Sequence, residues 1–315
     1  MHGSRIAAVG HYQPATVLTN EDLASMVDTS DEWIRTRVGI RTRHIAGPDE
    51  PVDELAAHAA AKALAAAGLA PGDIDLVLVA TSTAVDRSPN TAARVAARLG
   101  IPQPAAMDVN VVCAGFTHAL ATADHTVRAG AATRALVIGA DKMSDVTDWT
   151  DRSTCVLVGD GAGAAVVEAC PAGTESGIGP VVWGSVPGMG HAVRIEGTPP
   201  RFAQEGQSVY RWATTQLPPI ARQVCERAGT APEDLAAVVL HQANLRIIEP
   251  LAEKLGAVNA VVARDVAESG NTSAASIPLA LSKLVERGEI ATGDRVLLFG
   301  FGGNLSYAGQ IVRCP

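Results

Sequence analysis

Cys113 stands in "DVNVVCAGFTHALATA" (108–123), between an apolar run and a segment in which Phe116, Ala119, Leu120, Ala123 and Val127 recur at helical spacing. That pattern puts the thiol at a strand-to-helix turn, beside a helix N-terminus. Unpaired N–H groups and the helix dipole favour an anion there. The turn is therefore expected to lower the thiol pKa and to make Cys113 a nucleophile able to accept an acyl group from a thioester. Cysteine is also a common core residue, and packing is the plainer reading of these residues alone. Two further groups have the same ambiguity. His241 ends an apolar strand in "VVLHQANLRI", where a satisfied core histidine is the ordinary reading. Asn271 sits in "ESGNTSAASIPLAL", where an N-cap or turn residue is. The glycines of "GFGGN" (300–304) form either a plain turn or a source of backbone N–H groups for an oxyanion. "GDGAGA" (159–164) lacks the G-x-G-x-x-G spacing of a dinucleotide site and is assigned to close strand packing.

The elements that must hold these groups alternate. "DLVLVAT" (75–81), "RALVIGA" (134–140), "AAVVLHQ" (236–242) and "RVLLFGF" (295–301) read as buried strands, separated by helical segments such as "NTAARVAARLG" and "SIPLALSKLVERG". The pattern is α/β. It is also duplicated. A shift of 161 residues lays Gly68 on Gly229, Pro71 on Pro232, Asp73 on Asp234, Arg134 on Arg295 and Gly139 on Gly300. The same shift lays Asn110 on Asn271 and Cys113 on Ala274, and residues 80–83 on "HQAN" (241–244). Two similar α/β halves follow, residues 1–170 carrying the thiol and residues 171–315 carrying His241 and Asn271, joined near "EACPAGTESGIGP". Equivalent loops of the two halves are expected to meet near a pseudo-twofold axis.

Composition narrows the classes of function. The chain has 315 residues, 47% hydrophobic and 18% charged, with a net charge of −8, so it is no general lure for nucleic acid or an anionic membrane. Any polyanionic partner must meet a local basic patch. The start, "MHGSRIAAVGHYQP", lacks the apolar core of a signal peptide. "LAAHAAAKALAAAGLA" is broken by His58 and Lys62 and reads as an amphipathic helix rather than a membrane span. Five cysteines without close pairing suggest a reducing cytoplasm and no disulfide framework, and their spacing is not that of metal ligands.

Six blocks in order carry a family resemblance: "TSDEWIRTRVGI" (29–40), "CAGF" (113–116), "DRSTCVLVGDGAGAAV" (151–166), "HQANLRI" (241–247), "GNTSAASIPLA" (270–280) and "GFGGN" (300–304). The chain resembles, nearly end to end, 3-oxoacyl-acyl-carrier-protein synthase III, the initiating ketosynthase of fatty acid synthesis in the thiolase superfamily. The resemblance implies a thiolase-like duplicated fold with layered αβαβα architecture. It implies that Cys113 takes the acyl group from acyl-CoA, and that His241 and Asn271 bind the malonyl thioester oxygen and stabilise the enolate formed on loss of CO2. Backbone N–H groups of Cys113 and Gly302 would form the oxyanion hole. Trp33 and Arg152 would sandwich the CoA adenine, and Arg37 would meet its phosphates. Arg211, Arg246 and Lys254 would receive the acidic acyl carrier protein. No cofactor or metal is implied, because the CoA and carrier thioesters are substrates, and the family expectation is a cytoplasmic homodimer.

Some positions depart from the family pattern. Ser88 stands where relatives often carry a bulky aromatic that limits the acyl pocket, often that of the partner subunit. Val112 precedes the nucleophile where a smaller residue is usual, Glu253 replaces a basic residue, and Asn304 replaces a third small one. These bear on the starter acyl group and on carrier docking rather than on the reaction. The alternatives are a specialised relative that primes a polyketide pathway, or one that transfers an acyl group without condensation. Asn271 favours condensation, since some acyl-transferring relatives replace it. A thiolase would need a second cysteine in a Cys-x-Gly loop, but the matching loop is "GFGGN" and Cys314 lies beyond it. A plant-type polyketide synthase shares Cys-His-Asn, but the "DEWIRTRVGI" block argues for the bacterial initiating type. An inert scaffold on this fold is opposed by the intact Cys113, His241 and Asn271.

Overall fold

A computed structural model describes residues 3–171 and 173–315. Two five-stranded sheets form its frame, and they have one topology. In the first, Leu76–Ala80 runs parallel to Ala105–Val109 on one side and Arg134–Lys142 on the other; Asp160–Ala169 then pairs antiparallel with Arg134–Lys142 and with the outer strand Ser4–Tyr12. In the second, Ala237–Leu240 runs parallel to Val261–Val262 and Arg295–Phe301, and Tyr307–Arg313 pairs antiparallel with Arg295–Phe301 and Val182–Gly184. The four strands expected from apolar runs are the central strands of these sheets. The shift of 161 residues carries the first residue of Leu76–Ala80 to Ala237, and that of Arg134–Lys142 to Arg295.

Two helices, Gly115–Arg128 and Ser276–Glu286, lie between the sheets and touch both. Their sequences suit a mostly buried position, with His125 and Glu286 the exposed residues. Phe116, Ala119, Leu120 and Ala123 of one, and Ile277, Ala280 and Leu281 of the other, are buried in one cluster with strand residues of both sheets. The alanine-rich helix Val52–Ala67 covers the outside of the first sheet, where small side chains allow close helix–strand contact. Helices Gly206–Thr215, Leu217–Arg227 and Leu245–Leu255 cover the outside of the second. The result is five layers, αβαβα. Among the described residues no helix is long and apolar enough to cross a membrane.

The repeat is most informative where each half turns into its central helix. Residues 112–114 and 273–275 each make one tight turn before the helix starts, with Val112 at φ +48° and Ser273 at φ +50°. A β-branched valine in the left-handed region is strained, so the packing around the turn must impose it. Part of that packing comes from the opposite half. A Cβ on Gly139 would lie 2.2 Å from the Ala274 carbonyl, and one on the equivalent Gly300 would lie 2.5 Å from Thr117 Oγ1 and 3.1 Å from Ala114 Cα. Each sheet leaves out a side chain so that the turn of the other half can press against its backbone.

Candidate active site

The two turns and the strand ends beside them bring Cys113, His241 and Asn271 onto one cavity of about 650 Å³. Cys113 comes from the first turn. His241 follows directly on Ala237–Leu240, its N–H bonded to the Phe299 carbonyl at 2.9 Å. Asn271 precedes the second turn. Its backbone is held on both sides by the segment before Asp160: its N–H donates to the Leu157 carbonyl at 2.8 Å, and its carbonyl accepts from Gly159 N–H at 3.0 Å. One half thus supplies the thiol and the other the imidazole and amide.

The expected lowering of the Cys113 pKa is overturned. The residue is only 7% exposed. Burial pushes its thiol up to about 12, and the Asp141 carboxylate adds to the rise. The Ser273 hydroxyl and the N–H groups of Gly303 and of Cys113 itself pull towards the thiolate but do not outweigh desolvation. The resting group is therefore a neutral thiol, despite its place at a helix terminus.

The oxyanion expectation shifts by one residue. Gly302 N–H is committed to the Ser306 carbonyl at 3.0 Å, whereas Gly303 N–H reaches the Cys113 sulfur. Gly302 matters through its missing side chain, since a Cβ there would lie 2.6 Å from Cys113 Cβ and 2.9 Å from Sγ. The donors grouped at the sulfur are the Ser273 hydroxyl, from the turn of the opposite half, and the N–H groups of Cys113 and Gly303.

His241 is 2% exposed, and burial lowers its pKa to about 3, so the ring is neutral. Its Nδ1 lies 2.8 Å from Ser276 Oγ, and Phe301 meets the ring edge-on at 5.4 Å. Asn271 Oδ1 accepts the Ser273 N–H at 2.9 Å, which leaves the Nδ2 donors for the cavity that the residue lines.

The turn of the second half contains an internal control. Ala274 is the counterpart of Cys113, and Asp141 is the counterpart of Gly302. The Asp141 carboxylate sits on the second turn, Oδ2 accepting Ala274 N–H at 3.0 Å. Its other oxygen takes Ser82 N–H at 2.7 Å and the hydroxyls of Thr81, Ser82 and Thr83 at 2.9 to 3.1 Å. The turn geometry therefore holds a carboxylate oxygen in one half of this molecule, which is the physical argument for an oxyanion at the same turn in the other half. The shift of 161 residues was the signal that could have picked out Asp141.

Around the cavity the expected residues fall into four groups. Arg37, Arg211 and Arg246 line it. Arg152 packs on the Trp33 ring at 5.0 Å and donates to the Asp28 carbonyl at 2.7 Å, so a ring entering between Trp33 and Arg152 must part them. Lys254 is exposed, but its Nζ donates to the Thr214 carbonyl at 2.7 Å, in the last turn of Gly206–Thr215, where a cation complements the helix dipole. Ser88 and Val112 do not line the cavity. Ser88 is on the exposed loop after Thr83, and the Val112 side chain lies over Gly303, where a Cβ would come within 2.6 Å of it. Sequence reasoning missed Gly303, Asp141 and Ser276, and also the apolar wall of Phe202, Val209 and Phe301.

Two family models match, the 3-oxoacyl-[acyl-carrier-protein] synthase III model over residues 107–187 and its C-terminal model over residues 225–314. The chain is 88% identical to beta-ketoacyl-[acyl-carrier-protein] synthase III 2 of Streptomyces avermitilis, and 85% identical to synthase III 4 of Streptomyces coelicolor, over 100% of both partners in each case. Among solved structures it is similar to the priming beta-ketosynthase of the R1128 polyketide pathway, with TM-score 0.97, 40% identity and 100% and 97% of the two chains covered. It is similar also to the synthase III of Aquifex aeolicus, with TM-score 0.94, 40% identity and 99% and 100% covered. The chain belongs to the 3-oxoacyl-[acyl-carrier-protein] synthase III family, acyltransferase-type condensing enzymes on a thiolase-like fold.

Proposed function

We propose that the protein condenses a starter acyl-CoA with malonyl-acyl carrier protein, giving 3-oxoacyl-carrier protein, CO2 and CoA. The observation that carries this reading is the meeting of Cys113, His241 and Asn271 on one cavity, a thiol beside two neutral hydrogen-bond groups. In the first half-reaction the Cys113 sulfur attacks the acyl carbonyl, the C–S bond to CoA breaks, and the thiol proton leaves with CoA. The N–H groups of Cys113 and Gly303 meet the oxyanion. In the second, malonyl thioester loses CO2, His241 and Asn271 donate to the enolate oxygen, and the carbanion attacks the acyl-Cys113 carbonyl and expels the thiolate, which takes a proton from water to restore the thiol. Neutral donors placed where enolate charge develops do the work that a base would otherwise do.

Arg37 suits the phosphates of CoA and Trp33 with Arg152 its adenine, while Arg211 and Arg246 suit an acidic carrier at the same mouth. The free edge strand Ala105–Val109, with Met107 half-exposed, supports pairing as a homodimer. The likeness to a polyketide-priming ketosynthase supports a second reading, in which the 3-oxoacyl product enters a polyketide rather than a fatty acid. Purified protein incubated with acyl-CoA and malonyl carrier protein tests the reaction. Release of CO2 with formation of 3-oxoacyl carrier protein supports it, and acyl transfer without CO2 release overturns it. Cys113→Ala should abolish self-acylation. His241→Ala and Asn271→Ala should retain it and depress condensation by roughly two orders of magnitude.

A further inference from the structure

We infer that Ser276 is a positioning residue that fixes which nitrogen of His241 carries the ring proton, so that Nε2–H is the donor turned to the cavity. The inference deepens the proposed condensation and rests on that reading for its consequence, but not for its geometry.

A neutral imidazole has one donor and one acceptor, and the partner of one nitrogen decides the role of the other. His241 Nδ1 lies 2.8 Å from Ser276 Oγ, and both residues are buried, at 2% and 1% exposure. The same hydroxyl oxygen accepts the Gln242 N–H at 3.3 Å. Its own proton needs an acceptor, and the one within reach among the described residues is His241 Nδ1. With Ser276 donating, Nδ1 accepts and the ring proton resides on Nε2. The other tautomer would leave the Ser276 hydroxyl proton buried with nothing to receive it, a disadvantage on the order of ten- to a hundredfold. Burial also keeps the ring from charging, so the tautomer and not the protonation state is the variable.

The orientation is held from other sides too. Phe301 stands edge-on to the ring, at 80° between planes, and limits its rotation. Ser276 opens the helix Ser276–Glu286, directly after the turn 273–275, and Ser273 of that turn fixes the amide of Asn271. One segment, residues 271–276, therefore aims both proposed enolate donors: Asn271 through Ser273 N–H and His241 through Ser276 Oγ.

The direct test is ¹⁵N NMR of protein labelled at histidine, with the His241 signals assigned by their loss in His241→Gln. An unprotonated Nδ1 and a protonated Nε2 are expected in the unliganded protein. Ser276→Ala should weaken the Nε2–H signature, and should lower malonyl decarboxylation about tenfold as the ring loses its anchor. Cys113 self-acylation from acetyl-CoA, followed by intact mass, should stay within about threefold of the parent. Ser276→Thr, which keeps the hydroxyl, should restore both the signature and the rate. A protonated Nδ1 in the parent protein would overturn the inference, as would an Ser276→Ala variant with unchanged tautomer and decarboxylation. If the parent protein acylates but never decarboxylates malonyl carrier protein, the proposed reaction fails, while the NMR result still decides the role of Ser276.

Discussion

Gly302→Ala is the substitution whose effect follows most directly from distance. The added Cβ would stand 2.6 Å from Cys113 Cβ and 2.9 Å from Sγ. Carbon contacts settle at about 3.5–4.0 Å, so roughly 1 Å must be found. Cys113 has little room to retreat, because Ala114 behind it is fully buried and Val112 is fixed over Gly303. Overpacking of this size costs about 1–3 kcal/mol of stability, which for a chain of this length lowers Tm by a few degrees and leaves the fold intact. The larger effect is on geometry: a nucleophile displaced by about 1 Å loses about a hundredfold in rate. The assay is a time course of Cys113 acylation by acetyl-CoA read by intact mass, with thermal melting beside it. Gly72→Ala is the control, since a Cβ there meets nothing within 4 Å. Acylation of Gly302→Ala at the parent rate would refute the close approach of this backbone to the sulfur.

Other predictions address the buried groups. With its thiol held at about 12 by burial, Cys113 should react with iodoacetamide at a rate that climbs about tenfold per pH unit through neutrality, and a plateau below pH 8 would mean that the helix terminus outweighs desolvation. His241 is held near 3 in the fold against 6.5 when free, so between those values the unfolded chain binds the extra proton and stability falls as pH falls. Denaturant titrations from pH 7 to 4 should show the parent losing about 3 kcal/mol relative to His241→Asn, and equal losses would contradict the burial argument. Asp141→Ala should destabilise by about 3 kcal/mol or more, because the Ser82 and Ala274 N–H groups lose a buried acceptor, whereas Asp141→Asn, which keeps one carbonyl oxygen, should lose less; equilibrium unfolding of both variants compares them.

Much of the fold was legible because close packing constrains residue type. Gly139 and Gly300 each receive the opposite turn, so both positions stay glycine and the register between the halves survives in the letters. The helix that follows Cys113 was readable from its apolar period, as were the central strands from their unbroken apolar runs. What escaped is what depends on the assembled surroundings. The thiol pKa depends on how much water the folded cavity admits, and the local helix terminus is only one contribution. Gly302 and Gly303 are the same letter, and only the backbone path tells that one N–H turns to Ser306 and the other to the sulfur. Val112 and Ser88 were placed at the acyl pocket by the resemblance, but a left-handed φ turns Val112 onto Gly303, and Ser88 sits on an exposed loop outside the cavity of its own chain.

The carboxylate on the second turn also bears on stoichiometry. Asp141 and Gly302 are the same place in the two halves, one filled by the chain itself and the other kept bare. A duplicated frame could in principle carry two reaction centres, but here one copy is occupied by the tethered carboxyl group of Asp141. A cysteine introduced at 274 would face that carboxyl group where a substrate carbonyl would have to sit. Under the proposed reaction each chain would then carry one acyl group at a time, an asymmetry set by Asp141 on the opposite turn.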